Sequence, residues 1–269
     1  MRLLIATNGP PYDAVRVGVE LVRRAGEPPT VLTVVRSEED RPRAEATLAA
    51  AKDLLRADAP EVKTKILIGR PSREISDEAA EGNYGMVIVD RRARVPSVRR
   101  LLLGSTAQRV VECATRPILV AQGQIRPIRR ILICDSGAHS TRLLDAAAVL
   151  ADLIGQELDV TILHVMSQVS AAPDVDGEEL YATAEELIEE HTPEGEMLED
   201  DVAALDLENV SPHPKVRHGM VVEEILAEAS DHDLVVIGAY RGEGWQRILL
   251  DDLARKIIKQ AGRPVFVAR

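Results

Sequence analysis

The sequence predicts an α/β protein built from two copies of one domain, each a five-stranded parallel sheet sandwiched by helices. Three observations carry this. The chain repeats itself: Thr115-Arg116-Pro117-Ile118-Leu119-Val120-Ala121-Gln122 returns at the C-terminus as Gly262-Arg263-Pro264-Val265-Phe266-Val267-Ala268-Arg269, and a repeat of this length means one structural unit written twice. The apolar runs are short and continuous instead of alternating with polar residues, the pattern of strands buried on both faces of a parallel sheet. Those runs alternate with stretches of helical period, which makes each crossover a helix.

The beginnings of the copies correspond as the ends do. Leu3-Leu4-Ile5-Ala6 pairs with Ile131-Leu132-Ile133-Cys134, and Asn8 with Asp135. The boundaries follow at 1–122 and 128–269, joined by Gly123-Gln124-Ile125-Arg126-Pro127. The offset grows from 127 at Asn8/Asp135 to 147 at Thr115/Gly262, so the second copy carries an insert, placed at about 168–206.

In the first copy, strand 3–7 leads to a helix that Asp13 caps, with Val15, Val19 and Val22 on one face and Gly26 as its stop. A strand over 31–35, a helix over 44–56 and a strand over 63–68 come next. A short helix capped by Ser72, the strand 86–89, a helix over 105–113 and the strand 117–121 complete the copy. The second copy repeats the order: strand 130–134, helix 141–154 stopped by Gly155, strand 159–165, a helical region over 177–206, strand 214–217, helix 221–229, strand 234–238, helix 250–260 and strand 264–268.

Composition excludes several classes. The chain has 269 residues, near the limit for one core. No apolar run approaches the roughly 20 residues of a membrane span, and the N-terminal apolar stretch is short for a signal peptide, so a cytoplasmic protein is expected. Cys113 and Cys134 are the two cysteines and have no paired spacing. With aromatic residues at 2%, single-stranded nucleic-acid binding by base stacking is not expected. The six histidines, His139, His164, His191, His213, His218 and His232, show no ligand spacing, and no metal site is expected. The net charge of -11 is unevenly held. Residues 1–125 contain 20 Lys and Arg against 16 Asp and Glu, and residues 126–269 contain 13 against 28. An anionic ligand is therefore expected in the first copy.

An open parallel sheet binds ligands beyond the carboxyl ends of its strands, where strand order reverses. After the first strand of each copy stand Asn8-Gly9-Pro10-Pro11 and Asp135-Ser136-Gly137-Ala138. After the fourth strand the first copy runs from Asp90 through a basic loop to Leu101-Leu102-Leu103-Gly104-Ser105, and the second from Gly238 to Asp251-Asp252. The tandem five-strand repeat, this loop and the closing Arg-Pro-apolar strand together resemble two universal stress protein domains, a fold of the adenine-nucleotide-hydrolase-like type, in one chain. The likeness covers nearly the whole chain apart from the insert.

The resemblance implies a stress-response regulator. In nucleotide-binding members of that family an Asp after the first strand contacts adenosine, and a Gly-x2-Gly-x9-Gly-[Ser/Thr] loop after the fourth wraps the phosphates. Glycines admit backbone amides to phosphate oxygens, and a helix N-terminus adds donors. Here Asn8 stands at the Asp position, Arg91 and Arg94 at the first two Gly positions, and Gly104 and Ser105 are retained. In the second copy Asp135 and Gly238 match, Arg241 replaces the second Gly, and Asp251 and Asp252 stand where phosphate donors would be. The cofactor expected is thus ATP or another adenine nucleotide, held by the first copy through Asn8, Arg91, Arg94, Gly104 and Ser105, with the second copy degenerate. Guanidinium matches phosphate bidentately, so the arginines substitute for missing glycines; a solvated basic loop is the competing reading.

No nucleophile elbow or acid–base set indicates an enzyme, with weak ATP hydrolysis as the most that the resemblance allows. A scaffold without nucleotide, acting by protein contact, is the alternative. Between Asp174 and Asp201 the insert has 13 acidic residues and no Lys or Arg, with Leu180, Ala184 and Leu187 on one helical face. The resemblance also implies pairing of the last strands, 117–121 with 264–268, inside one chain; it leaves room for a homodimer of such chains, which no residue pattern encodes.

Overall fold

The structure is a computed structural model that describes residues 1–91, 106–137, 140–166, 182–238 and 245–269, with 245–252 described as helical backbone alone. It divides into two units, Met1–Arg126 and Pro127–Arg269.

In the first unit, β1 (Leu3–Ala6) is followed by α1 (Asp13–Val22), β2 (Thr30–Val35), α2 (Arg41–Leu55), β3 (Lys63–Ile68), α3 (Pro71–Glu81), β4 (Met86–Asp90), α4 (Thr106–Cys113) and β5 (Ile118–Ala121). The strands run in the order β3-β2-β1-β4-β5, all parallel. Continuous apolar sequence has the expected result: β1, β2 and β5 are buried at every residue, and β4 at all but Asp90. β3 closes the order on one side, and its first three residues, Lys63, Thr64 and Lys65, are exposed, as suits an edge that discourages further pairing.

Helix α1 shows how closely the layers approach. Ala14, Val15, Val17, Leu21 and Val22 face the sheet, and a Cβ at Gly18 would come within 2.8 Å of Ile5 Cδ1. Glycine at that point lets the helix lie directly on β1.

Two expected caps are replaced. Asp13 is the first helical residue and not the cap; Tyr12 holds the N-cap position in the left-handed region (φ 63°) with no side-chain cap of its own. Ser72 does not cap α3 either, because Pro71 begins that helix and the N-cap residue is Arg70. A proline at the first turn has no amide to satisfy there.

The second unit follows the same plan: β6 (Arg130–Asp135), α5 (Ser140–Ile154), β7 (Leu158–Met166), α6 (Ala184–Glu189), α7 (Pro193–Ala204), β8 (Val210–His218), α8 (Val221–Ala229), β9 (Leu234–Gly238), α9 (Trp245–Gln260) and β10 (Val265–Ala268). Its strands run β8-β7-β6-β9-β10, again parallel. The core lies between Leu132, Val235 and Val236 of the sheet and Leu143, Leu150 and Ile257 of the helices. Strand β8 is longer than the expected 214–217. It accommodates Pro212 and Pro214, residues that a strand at the end of a sheet tolerates.

The expected helical region over 177–206 is two helices, and residues 167–181, Leu180 among them, lie outside the described residues. Thr183 and Glu186 form a reciprocal capping box at the start of α6. His191, in the left-handed region at φ 52°, and Pro193 separate it from α7, whose Gly195 amide donates to Thr192 Oγ1 at 3.0 Å. Of the predicted apolar face, Ala184 and Leu187 are buried.

Candidate functional site

In each unit strand order reverses beside the first strand, between β1 and β4 in the first and between β6 and β9 in the second. Pairing registers fix which residues are level there. Leu3 lies opposite Met86 and Ile131 opposite Leu234, so Thr7 is level with Asp135, and Asp90 with Gly238. Asn8, set against Asp135 by the sequence comparison, lies one residue further along, and Arg91 likewise follows the position of Gly238.

That single step changes the chemistry of the first unit. Asp90 ends an otherwise apolar strand at the level where its counterpart is Gly238. Its Oδ2 accepts the Thr7 hydroxyl at 2.7 Å and its Oδ1 the Ala14 amide at 2.6 Å; the Asn8 amide donates to it as well. Asp90 thus caps α1 from another strand, which is why Tyr12 needs no capping side chain. Burial pushes the Asp90 carboxyl above the ordinary carboxylate range, the bonds from Thr7, Ala14 and Asn8 draw it partly back, and neighbouring Asp13 raises it again. Asn8 is exposed beside this staple, and Arg91 is half-buried with its amide donating to Ala121 O at 2.9 Å. Arg94, Gly104 and Ser105 lie outside the described residues, so the structure brings together Asn8 and Arg91 from the expected set.

In the second unit the same corner is open. A cavity of ≈ 160 Å³ lies at the carboxyl ends of β6, β7 and β9, with Cys134, Asp135, Ser136, His164 and Gly238 at its polar side and Leu143, Leu163, Ile225, Ile237 and Leu253 around it. The expectation of a ligand in the first copy alone thus meets described space in the second. Cys134 is half-buried at the cavity, and desolvation, with the charges of Asp135 and Glu228, pushes its thiol up. Asp135 Oδ1 accepts the Gly137 amide at 3.0 Å, and His164 Nδ1 is 3.2 Å from Asp135 O.

Asp135 Oδ2 has no donor among the described residues, and neither has Oδ2 of Asp201 on α7. The two side chains meet: Asp201 is pushed up to about 8, first by burial, then by a hydrogen bond with Asp135 and its charge, and also by Asp200. Two carboxyl groups share a hydrogen bond when one keeps its proton, so the two unmatched oxygens are explained together.

Sequence reasoning missed both Asp90 and Asp201. Asp90 had a signal, a lone acid closing the run Met86-Val87-Ile88-Val89; Asp201, one acid in a long acidic series, had none. His213 lies 3.5 Å from Asp159 on the surface, and His232 bonds Glu228 O at 2.9 Å and Thr161 Oγ1 at 3.0 Å. Among the described residues no group of three or more His, Cys, Asp or Glu is placed to hold a metal ion, and no helix is long and apolar enough to cross a membrane.

Comparison with known proteins agrees with the fold and the repeat. A universal stress protein from Mycolicibacterium smegmatis is 24% identical over 259 residues, covering 90% of this chain and 81% of that protein. The crystal structure of a universal stress protein from Archaeoglobus fulgidus superposes with a TM-score of 0.68 at 19% identity, covering 100% of this chain and 96% of the other. A protein of unknown function from Pseudomonas aeruginosa PAO1 gives 0.69 at 16% identity, with coverage of 99% and 92%. At these identities the structural likeness is one of fold. The universal stress protein family model matches twice, over residues 1–122 and 127–269, and the chain belongs to that family as a tandem member.

Proposed function

We propose that the protein is a stress-response regulator that acts by binding and not by catalysis, with an adenine nucleotide as the ligand of its first copy. Asn8 meets the adenosine end, Arg91 and Arg94 take the phosphates, and Gly104-Ser105 supplies amides and a hydroxyl at the start of α4. The observation that supports this is the placement of exposed Asn8 and half-buried Arg91 beyond adjacent strand ends in the basic half of the chain. The staple of Thr7, Asp90 and Ala14 fills the space beneath, so the nucleotide lies across the rim, held by side chains and sensitive to salt.

A second reading, a scaffold that takes no nucleotide, draws on that same staple and on the pairing of Asp135 with Asp201. Thermal unfolding with ATP, ADP and AMP separates the two. Ligand at about 100 times its dissociation constant adds about 2.7 kcal/mol of stability, and the shift should vanish in Arg91→Ala/Arg94→Ala. No shift at millimolar nucleotide leaves the scaffold.

Pairing of β5 with β10 inside the chain, and of two chains in a homodimer, belongs to the same proposal. Native mass spectrometry of the purified protein reads both bound nucleotide and chain number. The boundaries 1–122 and 128–269, and an insert over 168–206 that serves the second copy, complete it.

A further inference from the structure

We propose that α7 is a latch on the ligand corner of the second copy, closed by one proton shared between Asp201 and Asp135 and opened as that proton leaves. The inference does not depend on where nucleotide binds. Four observations carry it. Asp135 lines the cavity, yet it is 5% exposed and Asp201 2%. Each has a buried Oδ2 with no other described donor. The remaining acids of α6 and α7 face solvent or half-face it, so Asp201 alone among the described acids of the insert is buried. Met197 of the same helix reaches the loop after β6, where a Cβ at Gly137 would stand 3.1 Å from its Sδ.

Among the described residues, the other charged groups around α7 supply no counter-charge. Asp200, on its own helix, adds repulsion. On β7, His164 meets Asp135 through the backbone carbonyl. On β8, Arg217 is taken by Glu224 and Glu228, Lys215 by Glu228, and His218 Nε2 lies 2.8 Å from Ala182 O. On α5, Arg142 and Asp145 are exposed, and on α6 Glu185 and Glu186 are exposed. A neutral Asp201 therefore donates to Asp135, while two charged groups at this contact repel each other with no described cation between them.

The linkage has a definite sign. In the open state Asp201 titrates near its ordinary 3.8 and in the closed state at about 8, so the closed state binds the proton more tightly. Opening becomes about tenfold easier for each pH unit between those values and levels off above the upper one.

Hydrogen exchange of the full chain, corrected for the intrinsic pH dependence of amide exchange, measures this directly at residues 193–204. Wild type should show exchange through opening rise about 100-fold from pH 5 to pH 7 and then flatten beyond about 8. In Asp201→Asn the amide donates to Asp135 at every pH, and the slope should disappear with α7 protected throughout. Asp135→Asn, which keeps one donor and one acceptor, guards against a variant that fails to fold and should weaken the slope, because the neighbouring charge goes while the burial of Asp201 remains. If wild type shows no pH dependence over 193–204, or if both Asn variants keep it, the latch is overturned.

Discussion

Replacing Asp90 by Ala tests the closure of the first copy. The substitution removes the acceptor of the Thr7 hydroxyl at 2.7 Å and of the Ala14 amide at 2.6 Å. Ala14 is wholly buried and Thr7 is 4% exposed, so both donors lie away from bulk water. An orphaned buried donor costs about 1–3 kcal/mol, and loss of a helix cap about 1 kcal/mol. Against these stands the relief of removing a buried carboxyl, and the net expectation is a loss of about 2–3 kcal/mol.

Asp90→Asn is the informative control. Its Oδ1 still accepts from Ala14, and its amide donates to a Thr7 hydroxyl that turns round to accept. It should cost about 1 kcal/mol or less. Urea unfolding followed by circular dichroism reads both: with a slope of about 2–3 kcal/mol per molar, the Ala variant's midpoint falls by about 1 M. The pH dependence adds a second reading. A carboxyl raised in the folded state contributes fully below its unfolded value and loses that contribution as pH climbs through the folded one. Wild type should therefore lose stability relative to Asp90→Asn as pH rises just above the ordinary carboxylate range. An Ala variant as stable as wild type, or an Asn variant as costly as Ala, would refute the staple.

Three other perturbations follow from the same geometry. Glu228 is 7% exposed and bonds Lys215 at 2.8 Å and Arg217 at 2.9 Å; burial pushes its carboxyl up, and the two cations outweigh this and leave it lowered. Glu228→Ala should cost about 1–3 kcal/mol at neutral pH, and the difference from wild type should shrink as pH falls through the lowered value, measured by urea midpoints across the acid range. At Gly195 a Cβ would stand 2.0 Å from the Leu187 carbonyl oxygen. Gly195→Ala should part α6 from α7, with a loss of about 1–3 kcal/mol, and raise hydrogen exchange over 184–204 while the β6–β9 amides stay protected. Thr7→Asp combined with Asp90→Gly exchanges the first corner for the second. A crystal structure should then show a cavity beside β1 comparable to the ≈ 160 Å³ beside β6.

The strand plan was legible because a parallel sheet buried on both faces leaves a physical trace in sequence, as in Leu3-Leu4-Ile5-Ala6 and Leu234-Val235-Val236-Ile237. Helix starts were less so. A cap is identified by a hydrogen bond, and at α1 the acceptor comes from Asp90, 76 positions away from the Ala14 amide; no local reading of Asp13 contains that information. The break between α6 and α7 was visible in Thr192-Pro193, yet the acidic composition reads as continuous helix unless proline is given its full weight. Asn8 was set one residue from the level of Asp135 because the copies differ by one residue between the end of β1 and the turn. A one-residue difference is invisible to motif matching, but it decides which side chain enters the crevice.

The two copies treat the same corner in opposite ways, and electrostatics explains the difference. Each places a carboxyl at a strand end where strand order reverses, Asp90 in the first and Asp135 in the second, and a buried carboxyl without partners is expensive. In the first copy it stands on β4, so the first turn of α1 is within reach and backbone amides satisfy it. In the second it stands on β6, where the Gly137 amide reaches Oδ1 and, among the described residues, nothing in the repeated part of the fold reaches Oδ2. The insert supplies what is missing, and it does so with another acid. A Lys or Arg from α7 would have fixed the corner over the whole neutral range, whereas an Asp fixes it through a proton. The first is held by the Ala14 and Asn8 amides and the Thr7 hydroxyl within the repeated fold; the second, in the latch proposed above, is held by a proton that the insert brings.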